Sequence, residues 1–159
     1  MTVTLEHPAR ATRAREALAA RNAELQDVLD HWTRVLAAAA HGGGSVQPVR
    51  NLLYFFLTDE VLPHARAEER TLYRAARRDP SVVPLLQALM SEHEGLKSMT
   101  AGLSEAAPLA AVAAQAAAIA ALFARHTSKE DALLLPALES SGTDLAALLA
   151  REPLLASSS

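Results

Sequence analysis

The sequence contains no cysteine, carries little net charge and has only short apolar runs, and each absence excludes a class of protein. Because none of the 159 residues is cysteine, disulfides, iron–sulfur clusters and thiolate chemistry are excluded. No uninterrupted apolar run reaches the roughly 18 residues that span a bilayer, and the polar N-terminal stretch lacks the apolar core of a secretory signal. A formal net charge of −3 gives no indication of a nucleic-acid partner. We therefore expect a cytoplasmic protein with neither a membrane nor a nucleic-acid partner.

The remaining composition is that of a helical protein, because half of the residues are apolar and alanine, leucine, arginine and glutamate form long runs. The apolar periodicity and the breakers, above all Gly42-Gly43-Gly44, predict four long helices and a short fifth one. Their predicted ranges are about 9–40, 48–78, 81–104, 109–140 and 143–150. Long helices with short connections predict an all-α, antiparallel up-down-up-down four-helix bundle in a single domain, with its core at about residues 9–140.

Two prolines fall inside these predicted helices. Pro63 immediately precedes a histidine, and Pro136 lies near the end of the fourth helix. Proline removes a backbone hydrogen bond and distorts a helix, so we expect a bend at each position. Ser81 is the expected cap of the third helix, and the two ends of the chain are expected to be loose.

A pattern of histidine and glutamate occurs twice in the chain. His64 is followed four residues later by Glu68, and the same pair recurs 62 residues on as His126 and Glu130. A further histidine precedes each pair by 33 residues, at positions 31 and 93. Since residues four apart lie on one face of a helix, each pair can direct its imidazole and its carboxylate at the same volume.

This donor set predicts a dinuclear metal site in the core of the bundle. Imidazole and carboxylate suit first-row metals such as iron, manganese and zinc, and four imidazoles with two carboxylates exceed the needs of one zinc ion. The predicted ligands are His31, His64, Glu68, His93, His126 and Glu130, with Asp131 as an alternative to Glu130.

Further polar residues lie near the predicted ligands along their helices. Tyr54 and His41 are each about 15 Å from a predicted ligand at 1.5 Å per residue, and would add a ligand only if the helices bend. Glu69, Glu92 and Glu94 are interpreted as solvated groups or as acids that orient a ligand imidazole.

The doubled pattern resembles that of the hemerythrin-like, or HHE cation-binding, family, and the resemblance covers about residues 20–140. The residues flanking the pattern agree with it: Leu62-Pro63-His64, Glu68-Glu69, Leu72-Tyr73, Glu92-His93-Glu94 and Leu133-Leu134-Leu135-Pro136. The resemblance implies a four-helix bundle that holds two non-haem iron ions, joined by an oxo or hydroxo bridge, and that reacts with dioxygen, peroxide or nitric oxide. By the same resemblance, Glu68 and Glu130 bridge the irons and the four histidines are terminal ligands.

The sequence departs from the oxygen-carrying hemerythrins at two positions. Those proteins have another histidine one turn after the third-helix histidine, where this chain has Lys97, and they place the last carboxylate five residues after its histidine rather than four. The missing imidazole favours a redox reaction over simple reversible oxygen carriage. Lys97 is interpreted either as a surface lysine or as a hydrogen-bond donor to an iron-bound oxygen species.

Three functional classes are compatible with these observations. The first is a di-iron protein that binds or reacts with dioxygen, peroxide or nitric oxide in sensing, protection or storage, and we favour it. The second is a di-iron oxidase or oxygenase acting on a small organic substrate, although the Glu-x-x-His pairs of ferritin-type oxidases are absent from the pattern. The third is a plain metal-binding module.

Overall fold

A computed structural model describes residues 6–103 and 108–156, and this part of the chain is helical with no strand. Its helices are α1 (Glu6–Gly42), α2 (residues 47–76), α3 (Val83–Gly102), α4 (Leu109–Ser140) and the short α5 (Leu145–Ala150). Two 3₁₀ turns, Pro80–Val82 and Pro153–Leu155, precede α3 and follow α5. The all-α prediction is therefore confirmed. The predicted end of the third helix at Ser104 and the loose C-terminal residues 157–159 lie outside the described ranges.

The long helices run antiparallel to their neighbours, as their side-chain contacts show. On α1, Arg15 reaches Asp131 of α4, whereas Gln26, further along α1, bonds the carbonyl of Ala120. Partner numbers therefore fall along α4 as they rise along α1. The same relation holds between α3 and α4, where His93 contacts His126 and Gln115 bonds the carbonyl of Met99. This is the up-down arrangement that short connections impose.

The helix ends depend on local signals that the sequence shows only in part. The glycine run ends α1, and Gly43 adopts a φ of +68°, a conformation that residues with a Cβ rarely take. Helix α1 begins at Glu6, three residues before its predicted start, and the prediction of a loose N-terminus concerns residues 1–5, which lie outside the described ranges. The turn before α3 is capped by Asp79, whose Oδ1 accepts the backbone N–H of Ser81 at 2.9 Å, which corrects the expectation that Ser81 is the cap. Asp144 caps α5 in the same way.

Short π-helical turns interrupt α2 and α4. They span Leu57–Val61 and Glu69–Tyr73 in α2 and Glu130–Leu134 in α4. Pro63 and Pro136 each stand two residues beyond such a turn, so the regular hydrogen-bond pattern changes beside each proline, where we predicted a bend. The π turns themselves were not predicted.

Buried apolar residues form two clusters with a polar layer between them. The first cluster includes Leu18, Leu72, Leu86, Leu134 and Leu155. The second cluster includes Leu29, Leu57, Leu96, Ile119 and Phe123. Along every long helix the chain passes from one cluster to the other through a short polar stretch, and the stretches of α2, α3 and α4 hold predicted metal ligands.

Helix α4 is long and apolar enough to cross a membrane when only length and composition are considered. Gln115 and Arg125 interrupt its apolar stretch, so the statement that no uninterrupted apolar run reaches about 18 residues still holds. In the bundle, α4 packs along α1 and carries His126 and Glu130 into the interior, and 33% of its apolar window is buried. The absence of a membrane partner stays a prediction.

Candidate metal centre

Five of the six predicted ligands meet in the polar layer. Each of them is buried, with an exposed fraction of 5% or less. They come from three helices, with two from α2, one from α3 and two from α4. The five are His64, Glu68, His93, His126 and Glu130. The four-residue spacing therefore brings each imidazole and its carboxylate to the same level of the bundle, as predicted.

One side of the cluster is built around the Nε2 atoms of His93 and His126, which lie 2.9 Å apart. Oε2 of Glu68 is 3.3 Å from Nε2 of His93 and 3.7 Å from Nε2 of His126. Oε1 of Glu130 is 3.4 Å from Nε2 of His126. The two nitrogens and the oxygen of Glu68 all lie within 4.8 Å of one another, and Glu130 joins this group through its contact with His126.

The other side of the cluster contains a single imidazole. Nε2 of His64 is 2.8 Å from Oε1 of Glu68, and 2.9 Å from Oδ1 of Asn22 on α1. The two oxygens of Glu68 consequently face different imidazoles, Oε1 facing His64 and Oε2 facing His93 and His126.

Tyr73 is a site residue whose role the sequence did not reveal. Its hydroxyl donates to Oε1 of Glu130 at 2.7 Å and lies 3.3 Å from Nε2 of His126, and its ring stacks on His93. In a regular α-helix, a residue five positions after Glu68 would be rotated away from it by about 140°. The π turn Glu69–Tyr73 removes that offset, since i→i+5 hydrogen bonding brings residues five apart together.

The outward nitrogens of two imidazoles are held by carboxylates. Nδ1 of His93 lies 2.8 Å from Oε1 of Glu69, and Nδ1 of His126 lies 3.1 Å from Oε2 of Glu92. Each neutral ring donates its Nδ1–H to that acceptor and turns the lone pair of Nε2 into the cluster. This confirms the expectation that Glu69 and Glu92 orient imidazoles. Glu92 is itself paired with Lys129.

The outward nitrogen of His64 is held by the main chain instead. Its Nδ1 lies 3.0 Å from the carbonyl oxygen of Leu154, near the C-terminus. A carbonyl can only accept, so Nδ1 carries the proton here as well. In the neutral ring the lone pair is therefore on Nε2, which faces Oε1 of Glu68 and Oδ1 of Asn22. When neutral, each of the three imidazoles thus has its proton on Nδ1 and its lone pair on Nε2, which is the form that can bind a metal.

The pKa values of several cluster residues are shifted because acidic groups share one buried volume. Burial lowers the pKa of His126, but its hydrogen bonds to Glu130 and Glu68 and their charges outweigh that and raise the pKa to about 10. Burial likewise opposes protonation of His64, whose pKa is nonetheless raised by Glu68. Burial and the charge of Glu68 raise the pKa of Glu130. The imidazoles lower the pKa of Glu68 in spite of its burial, so without a metal the protons on the imidazoles and on Glu130 balance the charge of Glu68.

The residues present fit metal ions. Metal–ligand bonds of about 2.0–2.2 Å keep neighbouring ligand atoms of one ion roughly 3–3.5 Å apart, which is close to the separations found around Nε2 of His126. Oε2 of Glu130 is buried without a hydrogen-bond donor, and so is Oε1 of Glu68, whose short contact with His64 lacks hydrogen-bond geometry. Buried carboxylate oxygens without donors are costly unless they bind a cation.

Comparison with known proteins decides the family. The model of the hemerythrin HHE cation-binding domain matches residues 13–138, which is most of the chain. The chain belongs to this family. No curated protein and no solved structure matches the chain. The family and the buried cluster together identify a metal-binding HHE domain.

His31 is a correction to the predicted ligand set of this HHE domain. Its side chain is exposed and its ring contacts the edge of Trp32 rather than any member of the cluster. The α1 residue that reaches the cluster is Asn22. His31 follows Asn22 by nine residues, which is about two and a half turns, and it therefore lies on the opposite face of α1.

The alternative ligands also lie outside the cluster. Asp131 points away from it and forms an exposed ion pair with Arg15 at 2.9 Å. His41 is exposed and bonds the carbonyl of Ala37, and Tyr54 packs against the second apolar cluster. Asp131, His41 and Tyr54 therefore lie on other helix faces than the cluster, or at other heights along the bundle.

Lys97 is exposed and its Nζ lies 3.6 Å from Glu94, so the structure pairs these two residues with each other at the surface. No hydrogen bond described within the cluster involves Lys97. Both residues line a cleft of about 140 Å³ that reaches His93. The interpretation of Lys97 as a surface lysine fits this position better than a direct role at the metals.

Proposed function

We propose that this HHE domain holds two iron ions and that the pair binds or reacts with dioxygen, peroxide or nitric oxide, in sensing, protection or storage. The observation that carries the proposal is the arrangement of Glu68, whose two oxygens face imidazoles on opposite sides. A carboxylate with one oxygen toward each of two nitrogen groups has the geometry of a bridge between two ions.

The donor atoms divide naturally between two ions. One ion would take His93, His126, Oε2 of Glu68 and Oε1 of Glu130. The other would take His64, Oε1 of Glu68 and the donor-free Oε2 of Glu130. Nitrogen and oxygen donors without thiolate suit iron or manganese, and the family resemblance favours iron. The second ion would have a single imidazole, that of His64, because His31 is exposed and lies outside the cluster.

Residues of the chain prepare the site for a small ligand. Iron supplies the electron transfer to or from such a ligand when it is bound. Burial, reinforced by the charge of Glu130, raises the pKa of Tyr73 above its ordinary value, so the phenol keeps its proton and remains a hydrogen-bond donor at the cluster. Apolar side chains on either side, such as Val61 and Leu89, exclude bulk water.

The size of the nearest cleft favours a small ligand over an organic substrate. The cleft that reaches His93 has a volume of about 140 Å³. Pockets for organic ligands have volumes of about 300–1,000 Å³. Larger clefts occur at the surface. One of about 510 Å³ is lined by the end of α2, the connection between α4 and α5, and α5, and one of about 330 Å³ reaches Asn22, but no cluster ligand lines either of them.

Metal analysis combined with absorption spectra tests the proposal. The protein is loaded with Fe(II) without air, its iron is counted, and spectra are recorded before and after addition of dioxygen, peroxide or nitric oxide. We expect two irons per chain and a new visible or near-ultraviolet absorption with at least one of the three. Two irons with a spectrum that none of the three changes would leave a plain metal-binding module, and a single iron would contradict the dinuclear site.

A further inference from the structure

The C-terminal segment, residues 144–156, touches the metal centre through one backbone atom. The carbonyl oxygen of Leu154 accepts the Nδ1–H of His64 at 3.0 Å. The match to the HHE family ends at residue 138, so this contact comes from a part of the chain outside the matched residues. His64 is also the single imidazole beside Oε1 of Glu68, so its orientation affects one side of the cluster alone.

The C-terminal segment is fixed in place at both ends of its path. Helix α5 starts at the Asp144 cap and buries Leu145 and Leu149 in the first apolar cluster. After α5, Nε of Arg70 on α2 donates to Oε2 of Glu152 at 2.7 Å. Leu155 is then completely buried. These anchors place the intervening turn over His64.

The turn Pro153–Leu155 presents its carbonyl group and not its side chain. The N–H groups of Leu155 and Ala156 bond the carbonyls of Glu152 and Pro153, and no described backbone N–H bonds the carbonyl of Leu154. That carbonyl is therefore available to His64. The side chain of Leu154 is 39% exposed, so its removal leaves the carbonyl where it is.

We infer that the C-terminal segment is a positioning element of the metal centre, which holds His64 in the tautomer and orientation that bind the second ion. The inference rests on the two-ion site proposed above. Losing a group that orients a ligand imidazole weakens metal binding by about 10–100-fold. Because His93 and His126 are oriented by Glu69 and Glu92, the effect is confined to the ion at His64.

Cobalt release from four proteins tests the inference without iron or dioxygen. The wild type, a chain ending at Arg151, Leu155→Ala and Leu154→Ala are loaded with Co(II) and mixed with excess chelator. We expect two release phases in the wild type. The shortened chain should lose one ion about 10–100-fold faster and the other at the wild-type rate. Leu155→Ala should accelerate the same phase, and Leu154→Ala, which keeps the carbonyl, should match the wild type.

Separate outcomes distinguish this inference from the proposed function. Binding of only one Co(II) by the wild type would contradict the two-ion site. The inference would then be tested by whether truncation accelerates the release of that single ion. Unchanged release from a folded, shortened chain overturns the inference and leaves the ion pair standing. If the shortened chain does not fold, Leu155→Ala compared with Leu154→Ala decides, and equal rates overturn the inference. The Nδ1–H signal of His64 in NMR spectra, present in wild type and weakened by truncation, provides a readout independent of metal release.

Discussion

The two His–Glu pairs of the metal centre share one spacing but have different surroundings. The α2 pair is His64 with Glu68, and the α4 pair is His126 with Glu130. Behind the α4 pair, Glu92 holds the imidazole and is paired with Lys129. Behind the α2 pair, a neutral group takes that place, namely the carbonyl of Leu154, and the amide oxygen of Asn22 lies instead beside the Nε2 atom that faces Glu68. The repeat in the sequence therefore specifies the atoms that face the metals, and the rest of the fold independently specifies what supports them.

The carboxylates should show the largest difference between the pairs. Glu68→Gln removes the charge that faces all three imidazoles, so the metal content is expected to fall from two ions per chain to near zero. Glu130→Gln is expected to retain at least one ion, because the α2 pair keeps Glu68. Metal analysis after desalting measures both. Equal losses in the two variants would contradict the bridging position of Glu68.

The imidazoles should show the next largest difference. His64→Asn is expected to bind one ion, since only one side of the cluster depends on it. His126→Asn is expected to weaken the other ion and disturb Glu68 and Glu130 as well. His31→Asn is the matched control, and full metal content in that variant is expected because the side chain is exposed. Loss of an ion from this control would restore His31 to the ligand set.

The pH dependence of the stability of the metal-free protein tests the α4 pair in the absence of any ion. The pKa of His126 is raised from its ordinary value of 6.5 to about 10, so its proton stabilises the fold fully below pH 6.5. As the pH rises from 6.5 toward 10, the unfolded chain loses this proton first and stability falls, by at most about 1.4 kcal/mol per pH unit for one proton. Urea unfolding at pH 6.5, 8 and 9.5 measures the slope. His126→Gln should flatten it, and a wild-type stability that rises with pH would disprove the coupling.

The smallest expected effect concerns Tyr73, which supports the α4 pair only. Tyr73→Phe leaves Oε1 of Glu130 without its hydroxyl donor, and a loss of about 1–2 kcal/mol in the free energy of unfolding is expected for the metal-free protein. Tyr54→Phe is the matched control, because no hydrogen bond is described for that hydroxyl. Denaturant midpoints measure the stability of both variants. Equal midpoints would show that the buried hydroxyl of Tyr73 does not stabilise the fold.

The helix order and most of the cluster were predictable because they depend on strong periodic signals. Residues four apart on a helix share a face whatever surrounds them, so His64 with Glu68 and His126 with Glu130 could be paired from the sequence. His93 was found by the same repeat and is oriented by the adjacent helices. These are local rules, and tertiary packing did not override them.

The error at His31 shows the limit of spacing as a criterion. Its 33-residue distance to His64 matches the second half of the chain, but the buried stripe of α1 runs through Leu18, Leu25 and Leu29. Asn22 lies on that stripe and His31 lies behind it. The periodicity of α1 was therefore a better guide to ligand position than the repeat, and it pointed to an amide that a search for imidazoles and carboxylates overlooks.

Two further site groups could not have been found from residue types. The carbonyl of Leu154 is main chain, so its position depends on how the segment after α4 folds back and on nothing in the side chain. Tyr73 is five residues from Glu68 and joins the site only because a π turn intervenes. The sequence contains no periodic signal for such a turn.

That turn makes the centre sensitive to chain length as well as to composition. The π turn holds one residue more than an α-helical turn, so deleting one residue between Glu68 and Tyr73 would let ordinary α-helical hydrogen bonding resume with Tyr73 four residues after Glu68 and still on the same face of α2. Inserting one residue there would instead rotate the remainder of α2 by about 100° against its neighbours, and would turn Tyr73 from the cluster and Leu72 from the apolar residues that it packs against. An insertion in this stretch is therefore a harsher perturbation than a deletion, although neither removes a metal ligand.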